Sequence, residues 1–240
     1  MNESPADFLV EISKQRQRTF WGRQPESYKR WQLIAAAGNL LIEAQYVQSE
    51  LGRASTVSEM VERYTETDHP WCEFDTAQRR LERLYLEFED IASHSEIEML
   101  VSKARQTYQD IANRLSEAFV GALYKVNFKF DGLFQRQVFH NFVNPKIEEG
   151  RIAYFLVDAV RYEMGCELWR ALSSEGEANI SGAIASVPTI TEIGMASLLP
   201  EAENGVEIVD AGGGKLALKV GGEVLASRET KEKRAAALRS

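Results

Sequence analysis

From Tyr28 to Phe119 the apolar residues return every three or four positions, and that period allows little except helices packed by one face. The stretch Tyr28 to Leu51 carries Trp31, Leu33, Ile34, Leu40, Leu41 and Ala44 on one side, with Gly52 where a helix-ending glycine belongs. Thr56 precedes Glu59 by three residues, a capping-box spacing, ahead of Met60, Val61 and Tyr64. The set Leu81, Leu84, Tyr85, Phe88 and Ile91 then predicts a further helix, and the run from Ile97 through Leu100, Val101, Ala104, Tyr108, Ile111 and Leu115 to Phe119 another. Charged residues fall mostly between these positions, as on a solvated face. Pro5, Pro25 and Pro70 are the prolines that precede Pro145. Two architectures suit such a region: a helical bundle on its own core, or a coiled-coil platform for a partner. The apolar period drifts from a strict heptad, which favours the bundle.

The pattern changes at Asn144-Pro145. A residue before proline is pushed away from helical dihedrals, so a helix is expected to end there. The run Ile152 to Val157 is continuous, apolar and of strand length, which predicts a strand buried on both faces. A helix is expected over Tyr162 to Leu172, with Met164, Leu168, Trp169 and Leu172 on one side. A second strand follows around Ile180 to Val187, then a short helix over Glu192 to Leu199. Strand, helix, strand, helix reads as a parallel α/β sheet. Val206 to Val209, Leu216 to Val220 and Val224-Leu225, separated by glycine-rich turns, read as a small β-meander. The tail from Ser227 to Ser240 holds five basic and two acidic residues and is expected to be helical. The fold expected is therefore α+β: a helical region over residues 1–145, then the opening of a parallel α/β sheet with its meander over 146–240.

Composition narrows the function. The formal net charge is −8 with 27% charged residues, so the whole surface is no nucleic-acid coat, although a local basic patch stays open. Cys72 and Cys166 form no CxxC pair, which disfavours a structural zinc site. With no secretory signal pattern at the N-terminus, they are expected as free thiols in the cytoplasm. The longest apolar run has six residues, far short of the roughly 20 a membrane helix needs.

Two features point to chemistry. Asp158 directly follows the expected strand Ile152 to Val157, at its carboxyl end, where ligands gather in parallel α/β sheets. A carboxylate there can bind a cation, or it can cap the next helix. Thr191, in Pro188-Thr-Ile-Thr191, stands before Glu192-Ile-Gly194. A hydroxyl at a helix N-terminus sits where an anion is favoured, and a nearby metal would make it nucleophilic. A simple capping role for Thr191 or Thr189 is the alternative.

The wording around these two residues is sharper than either alone. Phe155-Leu-Val-Asp-Ala-Val-Arg-Tyr-Glu-Met164 resembles the first motif of PglZ domains, and Val187-Pro-Thr-Ile-Thr-Glu-Ile-Gly-Met-Ala-Ser-Leu-Leu-Pro200 resembles their second. The likeness covers roughly residues 150 to 235. It implies an alkaline-phosphatase-superfamily fold and a metal-dependent phosphatase or phosphodiesterase of BREX phage-defence systems. Asp158 would be a metal ligand, and Thr191 the nucleophile and a second metal contact. Arg161, Glu163 and Thr189 would stand around them, with an ion pair on a helix the alternative for Arg161 and Glu163. The cofactor implied is zinc or manganese. The partners implied are other BREX proteins and a phosphoester substrate, in the cytoplasm, with no membrane. Nucleic acid is possible but not indicated by the net charge.

The superfamily's two-metal site draws further Asp and His ligands from later in the fold. The histidines here, His69, His94 and His140, all precede Asp158. His69 is expected in a loop and His140 as a partly buried structural residue. The chain is therefore expected to be an incomplete fragment that binds metal poorly and turns over little. The competing reading is a non-catalytic scaffold or phosphate-binding module of a defence complex.

Overall fold

The computed structural model describes residues 4–88, 95–213 and 216–225. It divides into two units. One runs through Phe130 and includes Tyr162–Met164, and the other holds Asp131–Arg161 and continues from Gly165.

The first unit is helical. Its helices are α1 (Pro5–Gln17), α2 (Pro25–Glu50), α3 (Val57–Thr65), α4 (Cys72–Leu86) and α5 (Ser95–Lys125). Three of them begin for a local reason. Ser4 caps α1 and exchanges bonds with Asp7, while Pro25 stands in the first turn of α2, where a missing N–H costs nothing. The capping box at Thr56 is formed: Glu59 N donates to Thr56 Oγ1 at 3.2 Å, and Thr56 N donates to Glu59 Oε2 at 3.0 Å. The periodic residues close one core of Leu33, Leu40, Val47, Val57, Trp71, Phe74, Leu81 and Val101, all buried. That is the bundle reading. Gly38 lets α1 approach α2, because a Cβ there would lie 2.9 Å from Val10 Cγ2. Gly52 does not end α2 in the left-handed conformation. The helix passes at Leu51 into a 3-10 turn, Leu51–Arg53, which tightens the last carbonyls instead. Ile91 and His94 lie outside the described residues.

Two tyrosines bridge this bundle through one carboxylate. Tyr64 Oη donates to Asp75 Oδ2 at 2.6 Å, and Tyr108 Oη to Asp75 Oδ1 at 2.7 Å. Burial first, then Asp75, pushes the Tyr64 phenol well above its ordinary range. Tyr162, whose ring lies 6.1 Å from that of Tyr64, donates to the Thr65 carbonyl at 3.2 Å.

The second unit begins earlier than Asn144-Pro145, because Leu133 to Gln135 is tied to the later segment around Ile184. Ile184 N donates to the Leu133 carbonyl (2.8 Å) and Gln135 N to the Ile184 carbonyl (2.9 Å). No helix ends at Asn144. A π-helical turn, Phe139–Val143, runs into α6 (Asn144–Ile147), with Pro145 in the first turn, where proline is tolerated. Then follow α7 (Tyr162–Leu172), α8 (Thr191–Ala196), and strands β1 (Val206–Asp210), β2 (Leu216–Val220) and β3 (Glu223–Leu225). The meander is antiparallel, with Val206 opposite Val220 and Leu218 opposite Leu225. Gly221 and Gly222 take φ of 55° and 92° between β2 and β3, as a tight primed hairpin turn requires. Ile193, Ala196 and Leu199 pack with Leu218, Val220 and Leu225, so the meander holds α8. The tail from Ser227 on lies outside the described residues.

The α+β class holds, but the two expected strands do not form a parallel ladder. Residues 151–157 and 180–187 are extended but do not pair with each other, and among the described residues the parallel bridge joins Ile184 to Phe134, which lies outside both segments. Burial alternates with period two: Tyr154 and Leu156 are half-covered between exposed neighbours, as are Ile180, Gly182, Ile184 and Ser186. Phe155 is 81% exposed and Val187 83%. A continuous apolar run signals cover on two faces, and here one face has it.

Candidate active site

Asp158 leaves the extended segment at a turn whose next residue, Ala159, takes φ of 56°. The left-handed conformation costs a non-glycine residue roughly 1–2 kcal/mol, and it reverses the chain directly after the carboxylate. Helix α7 starts later, with Arg161 as its cap residue, so Asp158 is not that helix's cap. The cap position of α8 is Ile190, and no side chain caps it. Thr191 is thus the first helical residue. Its Oγ1 donates to Asp158 Oδ2 at 3.2 Å, across 33 residues of sequence, with both side chains exposed. Neither residue is used by the capping alternative that its position allowed.

The other expected residues are placed differently. Thr189 is exposed two residues before Thr191. Arg161 is exposed at the α7 cap. Glu163 is 0% exposed and belongs to the helical unit, where Arg79 Nη1 lies 3.7 Å from its Oε1. His69 lies in a loop, stacked on Tyr46 with centroids 4.0 Å apart, and its Nε2 is 2.9 Å from Glu43 Oε2. His140 is exposed, not partly buried. Its Nδ1 faces Glu203 Oε1 at 3.7 Å. Cys72 and Cys166 are both buried.

Residues that the sequence did not mark hold α8 in place. Gln135 is a clamp: its Nε2 donates to the Gly194 carbonyl (3.1 Å), and its Oε1 accepts from Ser186 N (3.1 Å). Ser197, fully buried, donates to Ser186 Oγ at 2.8 Å. Tyr154 Oη donates to the Leu198 carbonyl at 3.0 Å, and burial pushes that phenol up to about 12. No apolar period reveals such roles. The available signal was polar side chains within otherwise apolar runs, as Ser197 stands between Ala196 and Leu198.

Residues 133–239 match the family model described as the BREX system PglZ alkaline phosphatase-like domain. This segment is similar to the PglZ family. Gln135, Asp158 and Thr191 all lie inside it. The chain is also similar to a Bacillus cereus protein named alkaline phosphatase-like protein PglZ, 29% identical over 160 residues. That match covers 63% of this chain and 18% of the relative, so the chain spans a minor part of its length. No solved structure matches. Among the described residues no helix is long and apolar enough to cross a membrane.

Proposed function

We propose that the PglZ segment is part of a metal-dependent phosphatase or phosphodiesterase in which Thr191 is the nucleophile and Asp158 its partner. The observation that carries this is the 3.2 Å bond from Thr191 Oγ1 to Asp158 Oδ2 at an exposed edge. A carboxylate that already accepts the hydroxyl's hydrogen orients a lone pair outward and can take the proton as the bond to phosphorus forms. In that step the Oγ1–P bond forms and the ester P–O bond breaks. The leaving oxygen departs with a proton, and water then hydrolyses the phosphothreonine. Zinc or manganese belongs to this reading as cofactor. Asp158 and Thr191 supply two oxygen donors, and among the described residues no group of three or more His, Cys, Asp or Glu could hold a metal. These residues alone do not fit a metal site, so no step is derived through one, and the 240-residue chain is expected to turn over weakly. The description of the matching family supports a place in a BREX defence system. Other BREX proteins as partners and a cytoplasmic location belong to the same proposal.

The test is hydrolysis of para-nitrophenyl phosphate and its bis-ester, with zinc or manganese added, by the wild type, Thr191→Ala and Asp158→Asn. Loss of activity in Thr191→Ala, and a fall of about 10²-fold or more in Asp158→Asn, is the expected outcome. Activity that survives Thr191→Ala refutes the role of that hydroxyl. Turnover below detection in the wild type moves the reading to the alternative, a non-catalytic scaffold or phosphate-binding module, which the two-donor site favours.

A further inference from the structure

The connection between α1 and α2 presents two large aromatic rings to water on a backbone that is held shut. Phe20 is 71% exposed and Trp21 75%, and their rings meet edge to face with centroids 5.1 Å apart. Thr19 Oγ1 donates to the Arg16 carbonyl at 2.7 Å and accepts from Gly22 N at 3.0 Å. Arg23 N donates to the Thr19 carbonyl (3.1 Å) and Gln24 N to the Trp21 carbonyl (3.2 Å). Gly22 is buried, and a Cβ there would overlap the Arg16 carbonyl, so the turn closes only on glycine. Aromatic rings fixed outward in this way are a contact surface.

The surrounding charge identifies the chemistry of what they contact. From Lys14 to Arg30, both included, there are six basic residues and one acidic, in a chain whose net charge is −8. Lys14, Arg16, Arg18 and Arg23 are exposed, and all four lie within seven residues of Trp21 in the sequence. Three of these four are arginines, whose planar guanidinium pairs with phosphate through two donors and also stacks on flat rings. Exposed aromatic faces flanked by such cations match a polyanion that carries its own flat rings. We infer that the tip of the α1–α2 hairpin binds single-stranded nucleic acid. Phe20 and Trp21 stack on bases, and Arg16, Arg18 and Arg23 neutralise phosphates. An anionic membrane would use the same charge, but here the apolar contact is confined to two rings on one short turn, and the apolar side of α1 packs on α2. The inference is independent of the Asp158–Thr191 reading and shares no residue with it.

The test is fluorescence anisotropy of the full chain with a labelled oligothymidine of about 20 nucleotides, longer than a typical single-strand footprint. Binding is measured from about 50 to 200 mM salt, with phosphatidylserine vesicles titrated in parallel. Wild type is expected to bind the oligonucleotide with partial quenching of tryptophan emission, absent in Trp21→Phe. Each of Phe20→Ala and Trp21→Ala is expected to weaken binding about 5- to 150-fold with the salt dependence unchanged. Arg16→Gln, Arg18→Gln and Arg23→Gln together are expected to lower the slope of log K against log salt by about 2. No binding by wild type at the lowest salt, aromatic variants that bind like wild type, or binding to vesicles without binding to the oligonucleotide would each overturn the inference. None of these substitutions touches Asp158 or Thr191, so phosphoester hydrolysis fails or succeeds separately.

Discussion

Replacing Gln135 by Ala tests whether one amide side chain sets the position of Thr191. The change removes two hydrogen bonds, to the Gly194 carbonyl and from the Ser186 amide, both partly buried at 3.1 Å. Each neutral bond of this kind contributes about 0.5–1.5 kcal/mol net, so the pair contributes roughly 1–3 kcal/mol. The backbone bond from Gln135 N to the Ile184 carbonyl survives, so the loss is confined to the clamp. What opens is α8, whose amides at Gly194 and Ser197 bond to Ile190 and Ile193. If α8 and the Ser186 segment open together, their amide hydrogens exchange faster by the Boltzmann factor of that loss, about 5- to 150-fold. Amides of α2 and α5, in the helical unit, are expected to be unchanged and serve as the internal control. Gln135→Glu separates the two bonds. It keeps an acceptor for Ser186 N but sets a carboxylate against the Gly194 carbonyl, so α8 is expected to exchange at least as fast as in the Ala variant. Exchange of the Gly194 and Ser197 amides within about twofold of wild type in Gln135→Ala would refute the clamp.

Two further expectations concern the tyrosines. Asp75→Ala removes the shared acceptor of Tyr64 and Tyr108, and bonds to a charged group contribute about 1.5–3 kcal/mol each, so urea denaturation is expected to show a loss of roughly 3 kcal/mol or more. A loss under about 1 kcal/mol would mean that the two hydroxyls find water instead. Tyr154 ionises at about 12 in the fold against an ordinary 10.0. A pKa raised by folding means stabilisation that is complete below pH 10 and disappears as pH climbs to about 12. The urea midpoint is therefore expected to fall less steeply over that window in Tyr154→Phe than in wild type, and equal slopes would contradict the burial of the phenol.

Some parts of this molecule were readable because their causes are local. The capping box at Thr56 needs only residues 55 to 59, and it forms with both bonds. The meander is dictated by alternating residues and by glycines that alone suit its turn. The meeting of Asp158 and Thr191 was legible through the paired motifs, since their likeness to a family carries tertiary information that composition does not. Errors arose where a local rule had more than one outcome. Pro145 stops a helix from one side and opens one from the other, and Gly52 permits a left-handed end without imposing it. The apolar run Ile152 to Val157 specified an extended chain, but not a partner strand.

By itself the sequence determined most of the helices, the capping box at Thr56 and the meander, because period, capping chemistry and turn glycines act over a few neighbours. The tertiary structure alone decided which groups meet across long separations. It buried Glu163 near Arg79, gave Tyr64 and Tyr108 one carboxylate, and closed Gln135 on α8 from 59 residues away. A hydrogen bond forms where two polar groups are brought within about 3 Å, and that distance is set by how whole elements pack.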